Sequence, residues 1–168
     1  MGLIVSIAIL KNKIKKYMKK EVEKLIKKVK NCARDVYKEL GPGWKECVYQ
    51  QALEVGLREK GIDYEDQRVL PISYKNHVVG EGIPDLIVWL NKGKKRIAIV
   101  IDLKWEPYVK ENHAQQVKKY MQELKKQIGT NEQVFDTGFV INFIKESGKK
   151  IENGIEEVGG VQILNVKV

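Results

Sequence analysis

The residues most able to do chemistry lie at the end of one apolar segment, Arg96–Trp105. Its continuous aliphatic run is typical of a central strand that is covered on both faces. Asp102 and Lys104 interrupt the run, and because strand side chains alternate, both lie on one face while Leu103 lies on the other. Unpaired charges beside a buried strand are costly. These two residues are therefore either a structural ion pair at a solvated strand end or part of a functional site.

A second acidic residue, Asp85, opens the preceding apolar segment. An antiparallel hairpin between the two segments pairs Leu90 with Arg96 and puts Asp85 opposite Ile101 or Asp102. Two carboxylates that lie so close repel each other unless a cation lies between them. Because oxygen ligands suit Mg²⁺ or Mn²⁺ better than Zn²⁺, the pair predicts a site for one of those two ions.

The pattern of Pro84-Asp85 followed by Asp102-Leu103-Lys104 resembles the PD-(D/E)xK nuclease superfamily. Further motifs resemble its GxxExxY subfamily in their order along residues 30–145: Gly43, Glu46 and Tyr49, then Gln116 and Tyr120, then Ile141–Phe143. Many relatives have Glu at the position of Asp102, so this ligand is one methylene shorter. The four chemical positions of the pattern are nevertheless all filled.

The resemblance implies metal-dependent hydrolysis of a phosphodiester bond. Asp85 and Asp102 would hold Mg²⁺, or Mn²⁺ as a substitute, with help from the backbone carbonyl of Leu103 and from Glu46. Lys104 would orient or deprotonate the attacking water, or neutralise the phosphate.

Accessory residues have both functional and structural interpretations. Gln116 and Tyr120 lie one helical turn apart and would support the metal-bound water, although a surface Gln and a packed Tyr fit equally. Tyr49 and His113 are candidate contacts to nucleic acid, whereas core packing and a solvated helix end are their structural alternatives. Glu46 would also suit the first turn of any helix, where an acid favours the dipole.

The elements that must position these residues follow from the hydrophobic period. Helices are predicted at Ile14–Leu40, Trp44–Lys60 and Glu111–Ile128, and residues 146–160 are predicted to be loop or turn. Strands are predicted at Arg68–Tyr74, His77–Gly80, Asp85–Leu90, Arg96–Lys104, Thr137–Asn142 and Val161–Val168. This order predicts one α/β domain. The resemblance implies a restriction-endonuclease-like αβββαβ core, a mixed central sheet flanked by helices, with an extra N-terminal amphipathic helix.

The net charge of +9 is concentrated in residues 11–30, which hold ten Lys and two Glu. We therefore divide the chain into a basic extension, residues 1–30, and a nuclease-like domain, residues 31–168. The candidate contacts of the basic extension to DNA are Lys15, Lys16, Lys19 and Lys20. A solvated helix face is the alternative, and the apolar stripe opposite the lysines could pair with a second protomer to form a homodimer.

Several protein classes are excluded or disfavoured by the sequence. Two cysteines fit neither a disulfide framework nor a zinc site. The apolar run Leu3–Leu10 is too short to span a membrane, and its basic residues follow it, unlike those of a signal peptide. Residues 1–6 fit a short myristoylation pattern, but we do not expect a membrane as partner. We expect an intracellular protein, in the cytoplasm or wherever DNA is processed.

The resulting expectation is a Mg²⁺-dependent deoxyribonuclease, an endonuclease of DNA repair or recombination. One alternative is a structure-specific endonuclease similar to Holliday-junction resolvases, with branched or single-stranded DNA as partner. A second is a nucleic-acid-binding protein that has lost catalysis, and a third is a peripheral membrane protein, which modification of Gly2 would support.

Overall fold

A computed structural model describes residues 2–145 and 154–168, and for residues 2–6 it describes the backbone alone. The three helices are α1 (Gly2–Leu40), α2 (Glu46–Glu59) and α3 (Glu111–Gln127). The strands are β1 (Asp63–Asp66), β2 (Leu70–Tyr74), β3 (His77–Gly82), β4 (Leu86–Lys92), β5 (Lys95–Lys104), β6 (Glu132–Val134), β7 (Thr137–Phe143), β8 (Ile155–Val158) and β9 (Val161–Lys167).

Seven of these strands form the central sheet, in the order β1-β4-β5-β7-β9-β8, with β6 also paired to β5. The β5 strand is parallel to β7 and β6, and the other neighbours are antiparallel. β2 and β3 form a separate hairpin. The predicted mixed α/β architecture, consistent with a restriction-endonuclease-like fold, is therefore confirmed.

Alternate residues of β5 face two different apolar layers. Ile97, Ile99, Ile101 and Leu103 pack on the side of α1 and α2. Ala98 and Val100 pack on the side of α3, against its Val117, Met121 and Leu124. Asp102 and Lys104 continue the second series, so the charged end of β5 lies on the α3 side.

The first helix is longer than predicted, because it begins at Gly2 rather than Ile14 and continues without a break to Leu40. The residues from Leu3 to Leu40 contain neither Gly nor Pro, and Gly41, with φ +68°, ends the helix. The predicted boundary at residue 30 lies within this helix. Among its side chains from residue 7 onward, which are those that the structure describes, Val22 is the first that is buried.

Other differences concern short or shifted strands. β1 and β6 were missed because they are short and mostly polar, which gives no apolar alternation. The prediction of loop or turn at 146–160 is wrong for β8, which pairs with β9, while residues 146–153 lie outside the described residues. Of the two hairpin registers that the sequence allowed, the structure has the one in which Leu90 pairs with Ile97 rather than with Arg96.

Candidate active site

Asp102 is the buried charged residue at the end of β5. Its residue exposure is 2%, and its Oδ2 atom lies 2.6 Å from Nζ of Lys104. That contact has the distance of an ion pair but not the angle of a hydrogen bond, and within the described part of the chain Oδ2 has no hydrogen-bond donor. Lys104 Nζ donates instead to the carbonyl of Leu103, at 3.0 Å. The ammonium of Lys104 is thus the charged partner of this buried carboxylate, although the pair lacks hydrogen-bond geometry.

Asp85 lies beside Asp102 because of the hairpin register. Leu86 pairs with Ile101, so the residue before Leu86 falls opposite Asp102. The backbone N–H of Leu103 donates to Oδ2 of Asp85 at 2.6 Å, which fixes this carboxylate against β5. Of the two pairings that the sequence allowed, the structure has the one that brings the two aspartates together.

Burial is the main reason why the pKa of Asp102 rises from 3.8 to about 7. The neighbouring carboxylate of Asp85 raises it further, whereas Lys104 lowers it. Burial by itself would lower the pKa of Lys104, but Asp102, Asp85 and Glu46 together raise it above the usual value. Lys104 therefore interacts electrostatically with all three acids predicted from the sequence.

Glu46 reaches this group from the first turn of α2. Although the residue as a whole is exposed, the protein around its carboxyl raises the pKa of Glu46, with Lys104 opposing the shift and Asp85 adding to it. The turn at Gly41–Gly43 positions this helix start, since both glycines have positive φ.

On α3, Gln116 and Tyr120 face the same group of charges. Gln116 Nε2 donates to Oη of Tyr120 at 2.6 Å. Burial raises the pKa of Tyr120, and the charges of Asp102 and Lys104 act on it as well. The Tyr120 ring also packs against Gly82, the last residue of β3, where an added Cβ would lie 3.0 Å from the ring. Both residues thus lie beside the candidate site.

A buried amide network holds the loop between β5 and α3, and no local sequence pattern indicates which residues form it. Asn142 accepts a hydrogen bond from the N–H of Glu106 at 2.8 Å and donates to the carbonyl of Glu106 at 3.0 Å. It also donates to Gln162, which accepts from the N–H of Val109. Asn142 pairs with Lys104 across the parallel strands, so this network supports the strand end that carries the site.

Tyr49 and His113 are buried, at 0% and 4% exposure. Tyr49 donates to the carbonyl of Gly41 at 2.7 Å and stacks on Phe143. His113 accepts from the N–H of Lys110 at the start of α3, so it is not the solvated helix-end His of the structural alternative. This geometry gives no support to their predicted contact with nucleic acid, because neither side chain is on the surface.

The lysine-rich part of α1 lies at the other end of the sheet. Glu21 binds Lys92 in an ion pair of 3.0 Å, beside the turn between β4 and β5. At the other end of α1, Tyr37 donates to the carbonyl of Ile144, just after β7. Since β5 runs from that turn to Lys104, its ends are about 30 Å apart. The structure does not bring Lys15, Lys16, Lys19 and Lys20 to the candidate site.

The donor set suits a hydrated Mg²⁺ or Mn²⁺ ion better than a fully protein-enclosed one. Among residues 2–145 and 154–168, no three His, Cys, Asp or Glu side chains form a metal-binding group. Mg²⁺, however, needs only one or two carboxylates and keeps several waters. Asp85 and Asp102 supply such a pair, and Oδ2 of Asp102 already faces a positive charge, the ammonium of Lys104.

A family model described as the PD-(D/E)XK nuclease superfamily matches residues 23–154. That range covers Glu46, Asp85, Asp102 and Lys104. Comparison with curated proteins and with solved structures gives no significant match.

Proposed function

The chain belongs to the PD-(D/E)XK nuclease superfamily, and we propose that it is a Mg²⁺-dependent deoxyribonuclease that acts through Glu46, Asp85, Asp102 and Lys104. The observation that carries this proposal is the pair of carboxylates, Asp85 and the buried Asp102, that the register of β4 and β5 brings together beside Lys104. A structural Asp–Lys pair needs only one carboxylate, whereas two carboxylates this close repel each other unless cations compensate their charge.

In this proposal Asp85 and Asp102 hold the cation, which supplies charge stabilisation at the phosphate and a more acidic water. The Leu103 N–H keeps Asp85 in place, and the Leu103 carbonyl, which accepts a hydrogen bond from Lys104, would be a further oxygen ligand. Glu46 contributes directly or through water. Lys104 contacts the phosphate or the attacking water, since its ammonium pairs with Asp102 and interacts electrostatically with Asp85 and Glu46.

Gln116 and Tyr120 complete the site from α3. Their mutual hydrogen bond fixes both side chains beside the charges of Asp102 and Lys104. We assign them to orienting water at the site, and membership of the GxxExxY subfamily is part of the same proposal. Homodimer formation stays a prediction.

The test is cleavage of single-stranded, duplex, flap and four-way-junction DNA with and without Mg²⁺. We expect cleavage that EDTA abolishes, and a loss of at least about a hundred-fold in Asp102→Asn and in Lys104→Ala. Exposed residues of the same type provide the controls Asp66→Asn and Lys94→Ala, which should keep full activity.

A second readout separates a lost site from a lost fold. Calorimetric titration with Mg²⁺ should show binding to the wild type and to both controls but not to folded Asp102→Asn. Equal residual cleavage in the site and control variants would refute the assignment. DNA binding without any cleavage would favour a catalytically inactive nucleic-acid-binding protein, and cleavage of four-way junctions alone would favour a junction-specific endonuclease.

A further inference from the structure

The N-terminal part of α1 projects from the domain. Residues 7–17 precede Val22, the first buried residue among the described side chains of the helix, and their large apolar side chains are about half exposed. Leu10 is 59% exposed and Tyr17 is 54% exposed. About three turns of helix, residues 7–17, are therefore held to the rest of the protein by little apolar packing.

Two chemically distinct segments follow each other along this projection. The apolar tip, residues 3–10, contains no charged residue. The basic collar, residues 11–20, contains six lysines and no acid: Lys11, Lys13, Lys15, Lys16, Lys19 and Lys20. The helix that carries them continues unbroken from Gly2.

The projecting N-terminal part of α1 lies far from the candidate active site. Glu21, directly after the collar, is paired with Lys92 at the turn between β4 and β5, about 30 Å along β5 from the candidate site. Tip and collar are therefore a separate interaction surface, one that the proposed nuclease site does not use.

We propose that the apolar tip and the basic collar bind the surface of an anionic lipid bilayer. The tip lies at the boundary between headgroups and acyl chains, where burial of its aliphatic side chains is favourable. The collar lies at the level of the headgroups, where its lysines meet lipid phosphates. No helix in the described part of the chain is long and apolar enough to cross a membrane, so the contact is with one bilayer surface.

Two other partners are conceivable, nucleic acid and a second copy of this helix. Each is complementary to only one of the two segments. Nucleic acid would neutralise the collar but leave the apolar tip in water, because phosphates offer nothing to Ile7, Ile9 or Leu10. A second copy of the helix would cover the tip, but its collar carries the same positive charge, so neither collar would gain a partner of opposite charge. Only an anionic bilayer is complementary to both segments.

The experiment is co-sedimentation of the full-length protein with two kinds of vesicle, pure phosphatidylcholine and equal parts phosphatidylcholine and phosphatidylglycerol. We expect partitioning onto the anionic vesicles at least about ten-fold stronger than onto the neutral ones, decreasing as salt is added. Leu10→Asp should reduce it by about ten-fold or more, and so should Lys15→Glu combined with Lys16→Glu.

Matched controls lie elsewhere on the surface. Val55→Asp introduces the same charge on an exposed apolar residue of α2, and Lys118→Glu combined with Lys119→Glu reverses two neighbouring exposed lysines of α3. These controls should bind vesicles like the wild type. Leu10→Asp should keep the DNA cleavage of the wild type, so the outcome is separable from that of the nuclease proposal.

Three results would overturn the proposal. The first is equal binding to both kinds of vesicle, or to neither. The second is salt-sensitive binding to a DNA duplex that depends on Lys15 and Lys16 but not on Leu10, without vesicle binding, which would identify a nucleic-acid arm. The third is a dimer in sedimentation that Leu10→Asp dissociates, without vesicle binding, which would identify a second copy as the occupant.

Discussion

At the end of β5, the buried carboxyl of Asp102 is protonated or ionised depending on the pH and on the cations around it. Burial raises the pKa of Asp102 from 3.8 to about 7, so near neutral pH an appreciable fraction of this carboxyl is protonated without a cation. Perturbed carboxyls of this kind cluster at functional sites because the same burial that raises the pKa strengthens interaction with a cation. The stability of the metal-free protein should report this residue directly.

We predict that Asp102 makes the metal-free protein less stable as the pH rises from 3.8 to about 7. In that interval the folded state holds a proton that the unfolded chain has released, so the free energy of unfolding falls with pH and levels off above the folded pKa. Urea unfolding in EDTA should show this as a difference between wild type and Asp102→Asn. A constant difference across the interval would contradict the raised pKa.

Individual site residues were predictable from the sequence where the backbone geometry is regular. Strand alternation put Asp102 and Lys104 on one face, and hairpin pairing allowed Asp85 to meet Asp102. The amide network of Asn142 was not predictable, because its partner Gln162 comes from another strand with no local signal. The cap made by His113 was missed because a helix-end His gives the same pattern whether it is buried or solvated.

At the scale of elements, contacts with β8 and with the turn between β8 and β9 hold α1 against the sheet. The turn between β8 and β9 contains Gly159 and Gly160, both with positive φ. Only Gly160 packs against α1, where an added Cβ would overlap the Tyr37 ring. On the same sheet edge, Lys30 and Arg34 pair with Glu156 of β8. Both contacts join α1 to elements distant in the chain.

We predict that Gly160→Ala destabilises the fold more than Gly159→Ala does. Gly159→Ala should cost about 1–2 kcal/mol, because a side chain at positive φ is strained but meets no atom within 4 Å. Gly160→Ala adds the overlap with Tyr37, which should cost about 1–3 kcal/mol more. Urea unfolding of the two variants measures the difference, and equal losses would show that Tyr37 moves aside freely.

The helices and long apolar strands were predictable because the spacing of their apolar residues and the length of each segment indicate the same type of element. The apolar stripe of α1 from Met18 onward faces the core as its spacing indicates. β1, with the sequence DYED, carries no apolar alternation, and it is a strand only because β4 offers an unpaired edge. Such strands depend on tertiary pairing, which local sequence does not encode.

On the scale of the whole molecule, the lysine-rich segment of α1 and the candidate active site lie at opposite ends of the central sheet. The candidate site lies at the C-terminal end of β5, whereas the lysines of residues 11–20 extend beyond the turn that precedes it. Residues 31–168 carry 21 basic and 20 acidic side chains, so the part of the chain that holds the site is nearly neutral. The matched family range, which begins at residue 23, starts almost where α1 first becomes buried.

We therefore predict that deleting residues 2–16 leaves both the fold and DNA cleavage intact. The deletion removes four lysines and the apolar tip but keeps Met18, the first residue of α1 that packs against the core, and the Glu21–Lys92 ion pair. Since little apolar surface is lost from the core, the urea midpoint and slope should match those of the full chain. Deleting residues 2–26 is the comparison, because it also removes buried Val22 and Leu25 and should cost about 3–6 kcal/mol. A loss of stability already in the shorter deletion would mean that the projecting helix packs against the domain.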